Sequence, residues 1–141
     1  MHIENFFPYR LAIVAEAFSR QLADVYGGNH RLSREEWRLL FLLDDAGTLN
    51  SLQLAQRTTL DKVQISRAAT RLDDKGLIIR KVQGADRRLR DYTITEDGRA
   101  LFQKAFAEVA ERAQSILDTM PHEDREALDR GIAALGRAVA G

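Results

Sequence analysis

At 141 residues the chain has the size of one domain or of two small lobes, and its 21 Lys+Arg balance 21 Asp+Glu to a formal charge of zero. The absence of Cys excludes a disulfide scaffold, a thiolate metal site, a cysteine nucleophile and thiol-based redox sensing. The opening Met1-His2-Ile3-Glu4-Asn5 lacks the basic stretch of a signal peptide, and no apolar run approaches the roughly 20 residues that span a bilayer, so a cytoplasmic protein without membrane contact is expected.

From Phe6 to Tyr26, the apolar residues Phe6, Leu11, Ile13, Val14, Ala17, Phe18, Leu22 and Val25 include a run at steps of three and four from Leu11 onward, which predicts a long amphipathic helix ended by Gly27-Gly28-Asn29. Ser33, with Glu36 three residues on, forms a capping box for a second helix through Trp37, Leu40 and Leu43, closed by Asp44-Asp45-Ala46-Gly47. Asn50 or Ser51 caps a short third helix, and Thr58-Thr59-Leu60 turns into a fourth from Asp61 to about Lys75, with Gly76 as its stop. The period then changes. Leu77 to Val82 and Asp91 to Ile94 read as strands, joined by the polar tip Gln83 to Arg90. Thr95-Glu96-Asp97-Gly98 caps a fifth helix carrying Leu101, Phe102, Ala105, Val109 and Ile116, and Pro121 opens a sixth through Leu128, Ile132, Leu135 and Val139.

Zero net charge hides a segregation. Between Ser51 and Ile94, ten basic and five acidic residues leave +5, while the other 11 basic and 16 acidic residues leave −5. A basic middle between acidic ends fits a polyanion-binding module carried by segments that do not touch the polyanion. Two short helices, a tight turn and a basic-tipped hairpin make a winged helix-turn-helix. At 100° per residue, Ile65, Ala68, Ala69, Leu72 and Asp61 fall on the inward side of the fourth helix, leaving Val63, Gln64, Ser66, Arg67, Thr70 and Arg71 outward. That outward set suits a major groove: Arg pairs with guanine, Gln with adenine, Val with a thymine methyl, and Ser or Thr with a base or phosphate. Lys62, Arg87, Arg88 and Arg90 are expected on the phosphate backbone or in a minor groove, with Arg80 and Lys81 on the strand feeding the tip and Asp86 shaping the wing by pairing with Arg88. Asp44-Asp45 and Asp73-Asp74 read as solvated helix ends.

The runs Asp61-Lys62-Val63-Gln64-Ile65-Ser66-Arg67, Arg71-Leu72, Lys75-Gly76-Leu77-Ile78, Asp86-Arg87-Arg88 and Thr93-Ile94-Thr95-Glu96-Asp97-Gly98-Arg99 resemble the MarR-type (multiple antibiotic resistance regulator) winged helix-turn-helix repressors. The similarity covers nearly the whole chain and is most specific in the wing motif and in Ile94 to Gly98. It implies a mostly α fold with a small β-hairpin wing and with N- and C-terminal dimerisation helices interlocked in a homodimer. It further implies fourth helices in successive major grooves of a palindromic double-stranded operator, and wings in the flanking minor grooves. The corresponding division is 1–32 for the N-terminal dimerisation helix, 33–98 for the DNA-binding lobe and 99–141 for the C-terminal dimerisation helices. Independently, the long apolar stripes of the first, fifth and sixth helices exceed what a small winged lobe covers; a second copy covers them, and an intramolecular three-helix bundle is the rival.

The same resemblance implies release from DNA by a small aromatic acid, thioester or phenolic compound. Seven of the ten aromatic residues lie within the first 41, and Tyr9, Arg10 and Trp37 are the candidate effector pocket, a cation beside apolar rings being what an aromatic carboxylate seeks. His2, His30 and His122 are isolated, so no metal or other cofactor is expected. No phosphate loop, nucleophile motif or paired carboxylates point to an enzyme. The expected function is a ligand-released repressor, against the alternative of a winged-helix protein-interaction module that does not touch DNA.

Overall fold

The computed structural model describes residues 2–82 and 90–141. After a short 3-10 turn at Ile3–Asn5, the chain forms α1 (Phe7–His30), α2 (Arg34–Ala46), β1 (Thr48–Asn50), α3 (Ser51–Arg57), α4 (Lys62–Asp74), β2 (Ile78–Val82), β3 (Arg90–Ile94), α5 (Glu96–Leu117) and α6 (His122–Ala140). Both sheet pairings are antiparallel, in the order β1-β3-β2, with Thr48 opposite Thr93 and Arg80 opposite Tyr92.

Local chemistry explains where the short helices start. Ser33 with Glu36, Asn50 with Gln53 and Asp61 with Gln64 each form a reciprocal capping box at the first turn of α2, α3 and α4. Asp61 is therefore an exposed cap rather than part of the inward side of α4, which consists of the buried Ile65, Ala68, Ala69 and Leu72. Gly76, at φ +76°, takes the left-handed conformation that turns the chain from α4 into β2.

Two local expectations are corrected. Helix α1 runs through Gly27 and Gly28 and ends at Arg31, whose φ of 56° is left-handed and whose N–H donates to the Gly27 carbonyl at 3.1 Å. A glycine inside a helix costs about 1 kcal/mol, less than the burial of neighbouring Val25 and Tyr26 in the core returns. The hairpin also gains a third strand. β1 has one apolar residue, Leu49, too little pattern to read locally, and it is held by pairing with β3, where the Thr48 and Thr93 hydroxyls meet at 2.9 Å.

Leu39, Leu40, Leu43, Leu54, Leu72 and Ile78 are the largest fully buried side chains. The core they centre extends to Val25 and Tyr26 of α1 and to Phe102 and Val109 of α5, so α1 and α5 share a core with the helix-turn-helix. His30 at the end of α1 pairs with Glu108 of α5. Helix α6 buries no residue, and the N-terminal half of α1 keeps Phe7, Ile13 and Val14 more than half exposed.

Among the described residues, the one buried charged residue is Glu36. Its carboxylate accepts from the Ser33 N–H at 3.2 Å and from Lys75 Nζ at 2.6 Å, and Lys75 also donates to the Arg31 carbonyl at 2.8 Å. The C-terminal end of α4 is thereby tied to the joint between α1 and α2, with each oxygen of the buried carboxylate given a donor. Further along, Arg34 donates to both carboxylate oxygens of Glu16, at 2.8 and 3.2 Å, fastening α2 to α1. Those hydrogen bonds hold the Glu16 carboxyl below the usual carboxylate range.

Candidate nucleic-acid interface

Helix α4 divides into two faces. Lys62, Val63, Gln64, Ser66, Arg67, Thr70 and Arg71 are all exposed, and the residues between them are buried. From Lys62 to Arg71 the helix has no acidic residue, and no ion pair among the described residues involves Lys62, Arg67 or Arg71. Val63, at 56% exposure, is an apolar side chain on an otherwise polar surface.

Not every outward residue is equally available. Gln64 Oε1 accepts from the Asp61 N–H at 3.0 Å in the capping box, which leaves its amide NH2 to face outward but engages the acceptor a bidentate adenine contact needs. Thr70 Oγ1 donates to the Ser66 carbonyl at 2.9 Å and accepts from Arg80 Nη1 at 3.0 Å. Arg80 is a residue whose role the sequence did not reveal. Its Nε and Nη2 both reach Asp73 Oδ2, at 3.1 and 3.0 Å, so Asp73 is ion-paired and not a solvated helix end. Asp44 is likewise engaged, accepting from Arg99 at 3.3 Å. Lys75, counted among the basic residues of the middle segment, is committed to Glu36.

Both legs of the hairpin are tied to the helices beneath. β2 is joined to α4 through Arg80. β3 begins at Arg90, whose N–H donates to Ser51 Oγ at 3.2 Å while the Ser51 hydroxyl lies 3.3 Å from the Arg90 carbonyl, joining it to the start of α3. Arg90 and Lys81 are exposed. Asp86, Arg87 and Arg88 lie outside the described residues.

A hollow of about 320 Å³ opens between α2 and the turn from α3 to α4, where the Trp37 and Phe41 rings and the Arg38 and Arg57 side chains converge with Thr58 and Thr59. Arg38 Nη1 donates to Thr59 Oγ1 at 2.7 Å, two residues before the cap of α4. Trp37 stacks on Tyr26 with centroids 4.6 Å apart and continues through Phe102 to Phe106 and Phe41. Burial in this stack pushes the Tyr26 phenol above its ordinary pKa. Tyr9 and Arg10 are exposed near the start of α1 and do not line the hollow. They precede Tyr26 by 17 and 16 positions in the same helix, about 25 Å along its axis. Among the described residues, no group of three or more His, Asp or Glu is gathered to hold a metal ion, and no helix is long and apolar enough to cross a membrane.

Residues 31–89 match the sequence model of the MarR family. The HTH-type transcriptional regulator FarR of Neisseria gonorrhoeae is 28% identical over 92 residues, which are 65% of this chain; the match spans 63% of that relative's length. Among solved structures, NadR in complex with 4-hydroxyphenylacetate is 24% identical and superposes with a TM-score of 0.78 over 95% of this chain and 97% of its own. BpsR of Bordetella bronchiseptica, whose DNA binding is regulated by 6-hydroxynicotinic acid, gives 0.80 at 20% identity over 96% of both chains. The shared architecture is six helices around a small three-stranded antiparallel sheet.

Proposed function

We propose that the chain, whose residues 31–89 match the MarR family model and whose fold is that of winged helix-turn-helix MarR structures, is a homodimeric repressor of that family that reads double-stranded DNA with α4 and is released by a small aromatic acid. The observation that carries DNA reading is the outward face of α4, cationic and free of acid from Lys62 to Arg71 on a helix whose other face is fully packed. An ordinary solvated helix would alternate acids and bases at four-residue steps. Val63, Ser66, Arg67 and Arg71 are the base-reading set, Gln64 contributes its amide donor, and Lys62 and Arg90 take phosphates. Arg87 and Arg88 join them in the flanking groove, shaped by Asp86.

An electrophoretic shift on the duplex upstream of the protein's own gene, with random DNA as competitor, tests the reading. Arg67→Ala is expected to cost about 1–3 kcal/mol on that duplex and little on random DNA, whereas Lys62→Ala weakens both alike and lowers the salt slope by about one. No preference for the upstream duplex over random DNA would favour a protein-docking role for the winged helix instead.

The effector site is assigned to the hollow at Trp37. Two guanidinium groups beside two aromatic rings suit an aromatic carboxylate, and 320 Å³ falls within the range of about 300–1,000 Å³ for small-molecule sites. Of the proteins similar in fold, NadR is in complex with 4-hydroxyphenylacetate, and the DNA binding of BpsR is regulated by 6-hydroxynicotinic acid. A carboxylate drawing Arg38 away from Thr59 would loosen the turn that aims α4. Tyr9 and Arg10 join the site only if the first helix of a second copy crosses it. Arg38→Ala, which removes the Thr59 contact outright, is expected to weaken binding to the upstream duplex by itself and to leave that binding insensitive to 4-hydroxyphenylacetate; unchanged release in a titration would remove Arg38 from the site.

A further inference from the structure

The sequence assigns Arg80 to the cationic approach to the wing, and its environment gives it a different task. Arg80 lies on β2 opposite the buried Tyr92, and its guanidinium turns back to α4. Nε and Nη2 converge on one oxygen of Asp73, and Nη1 donates to Thr70 Oγ1, which itself donates to the Ser66 carbonyl. Three donors of one planar fork thus hold two residues a helical turn apart on the reading helix, and a planar fork fixes direction as well as distance. The Arg80 side chain is 22% exposed and that of Asp73 38%, so the pair is partly in water and what distinguishes it from a surface ion pair is the geometry of the fork. The returning strand is fastened separately, through Ser51 and Arg90.

We infer that Arg80, Asp73 and Thr70 form a clamp that sets the angle between the reading helix and the hairpin, making Arg80 a positioning residue and not a DNA contact. The inference rests on the DNA-reading function proposed above. A helix in the major groove and a hairpin beside it engage one duplex together only when their mutual angle is fixed before binding, since ordering them on the DNA would cost affinity. Thr70, which the sequence places on the outward face of α4, has its hydroxyl engaged on both sides and belongs to this clamp.

Asp73→Asn separates the clamp from simple electrostatics. Removing a negative charge beside a DNA-binding helix should tighten binding if charge alone counts. The clamp predicts the reverse: about tenfold weaker binding to the upstream duplex, with an unchanged slope of log affinity against log salt. Hydroxyl-radical footprints should lose the outer protection of each half-site and keep the central one. Arg80→Lys, which keeps the charge and loses the fork, should behave alike. Hydrogen exchange on the free protein gives a readout without DNA: in both variants the amides of Ile79–Val82 exchange faster while those of Ala68–Leu72 do not. Binding by Asp73→Asn as tight as wild type or tighter, or a salt slope lowered by about one in Arg80→Lys, overturns the clamp. So does unchanged exchange in β2. Failure of the wild type to prefer the upstream duplex, with faster β2 exchange in the variants, would sink the DNA-reading function and leave the clamp as the hinge of the hairpin.

Discussion

Replacing Gly98 by alanine is expected to destabilise the protein by about 3 kcal/mol, the upper end of what forcing extra atoms into a packed site costs. Gly98 sits in the first turn of α5, where its N–H donates to Thr95 Oγ1 at 3.0 Å. A Cβ added there would collide with the Leu77 carbonyl oxygen and come within 2.9 Å of Ile94 Cγ1 and 3.0 Å of the Leu77 carbonyl carbon. None of these neighbours yields easily. The Leu77 carbonyl accepts from the Thr95 N–H at 3.1 Å, and Ile94 is buried in the core. Gly98 is required for space and not for conformation: its φ is not positive, and α5 must lie directly against the turn between α4 and β2. Gly131→Ala and Gly136→Ala on α6, where an added Cβ meets nothing within 4 Å, should leave stability unchanged or raise it by up to about 1 kcal/mol. Urea melts of the three variants check the contrast. A Gly98→Ala protein melting with the wild type would mean that α5 is not seated on that turn.

The same glycine separates what the sequence discloses from what it withholds. Thr95 to Gly98 is visible as a helix start because a cap acts within four residues, and for the same reason the boxes at Ser33, Asn50 and Asp61 can be read from the chain. The two faces of α4 are legible as well, since a period of 3.6 residues determines which side chains point together. What needs a distant partner is not legible. β1 exists because Thr93 lies across from Thr48, Arg80 turns from the wing because Asp73 is within reach, and Glu36 is tolerated in the core because Lys75 arrives from 39 residues away. The Trp37 hollow joins the second helix to the end of the third through Arg38, Arg57 and Thr59, residues that share no period and no motif. The +5 of the middle segment also changes meaning. Lys75 and Arg80 are committed internally, so the cationic surface offered to a polyanion is smaller than the count and concentrated on α4 and the hairpin.

Placing aspartate at both Ile13 and Ile132 is expected to halve the sedimenting mass and to weaken binding to the upstream duplex by about 10²–10⁴-fold, the usual gain from linking two binding modules. Both isoleucines are about half exposed, Ile13 at 51% and Ile132 at 53%, and each belongs to a helical stripe: Phe6, Phe7, Val14 and Ile13 at the start of α1, and Leu128, Ile132 and Val139 along α6. Two apolar stripes on two helices exceed the scattered exposed residues normal for a monomer and are the kind of surface a partner would cover. A second copy is the economical partner, because a two-fold axis would present two α4 helices about one helical turn of DNA apart and match a palindromic site. Neither substitution touches the core, since α6 buries nothing and Ile13 lies well before the buried Val25. The melting of a single chain should therefore change little beyond its loss of concentration dependence. Binding to random DNA should fall much less than binding to the upstream duplex. A doubly substituted protein that still sediments as a dimer would place the two-fold contact elsewhere; one that is monomeric yet binds the duplex as the wild type does would show that a single α4 suffices.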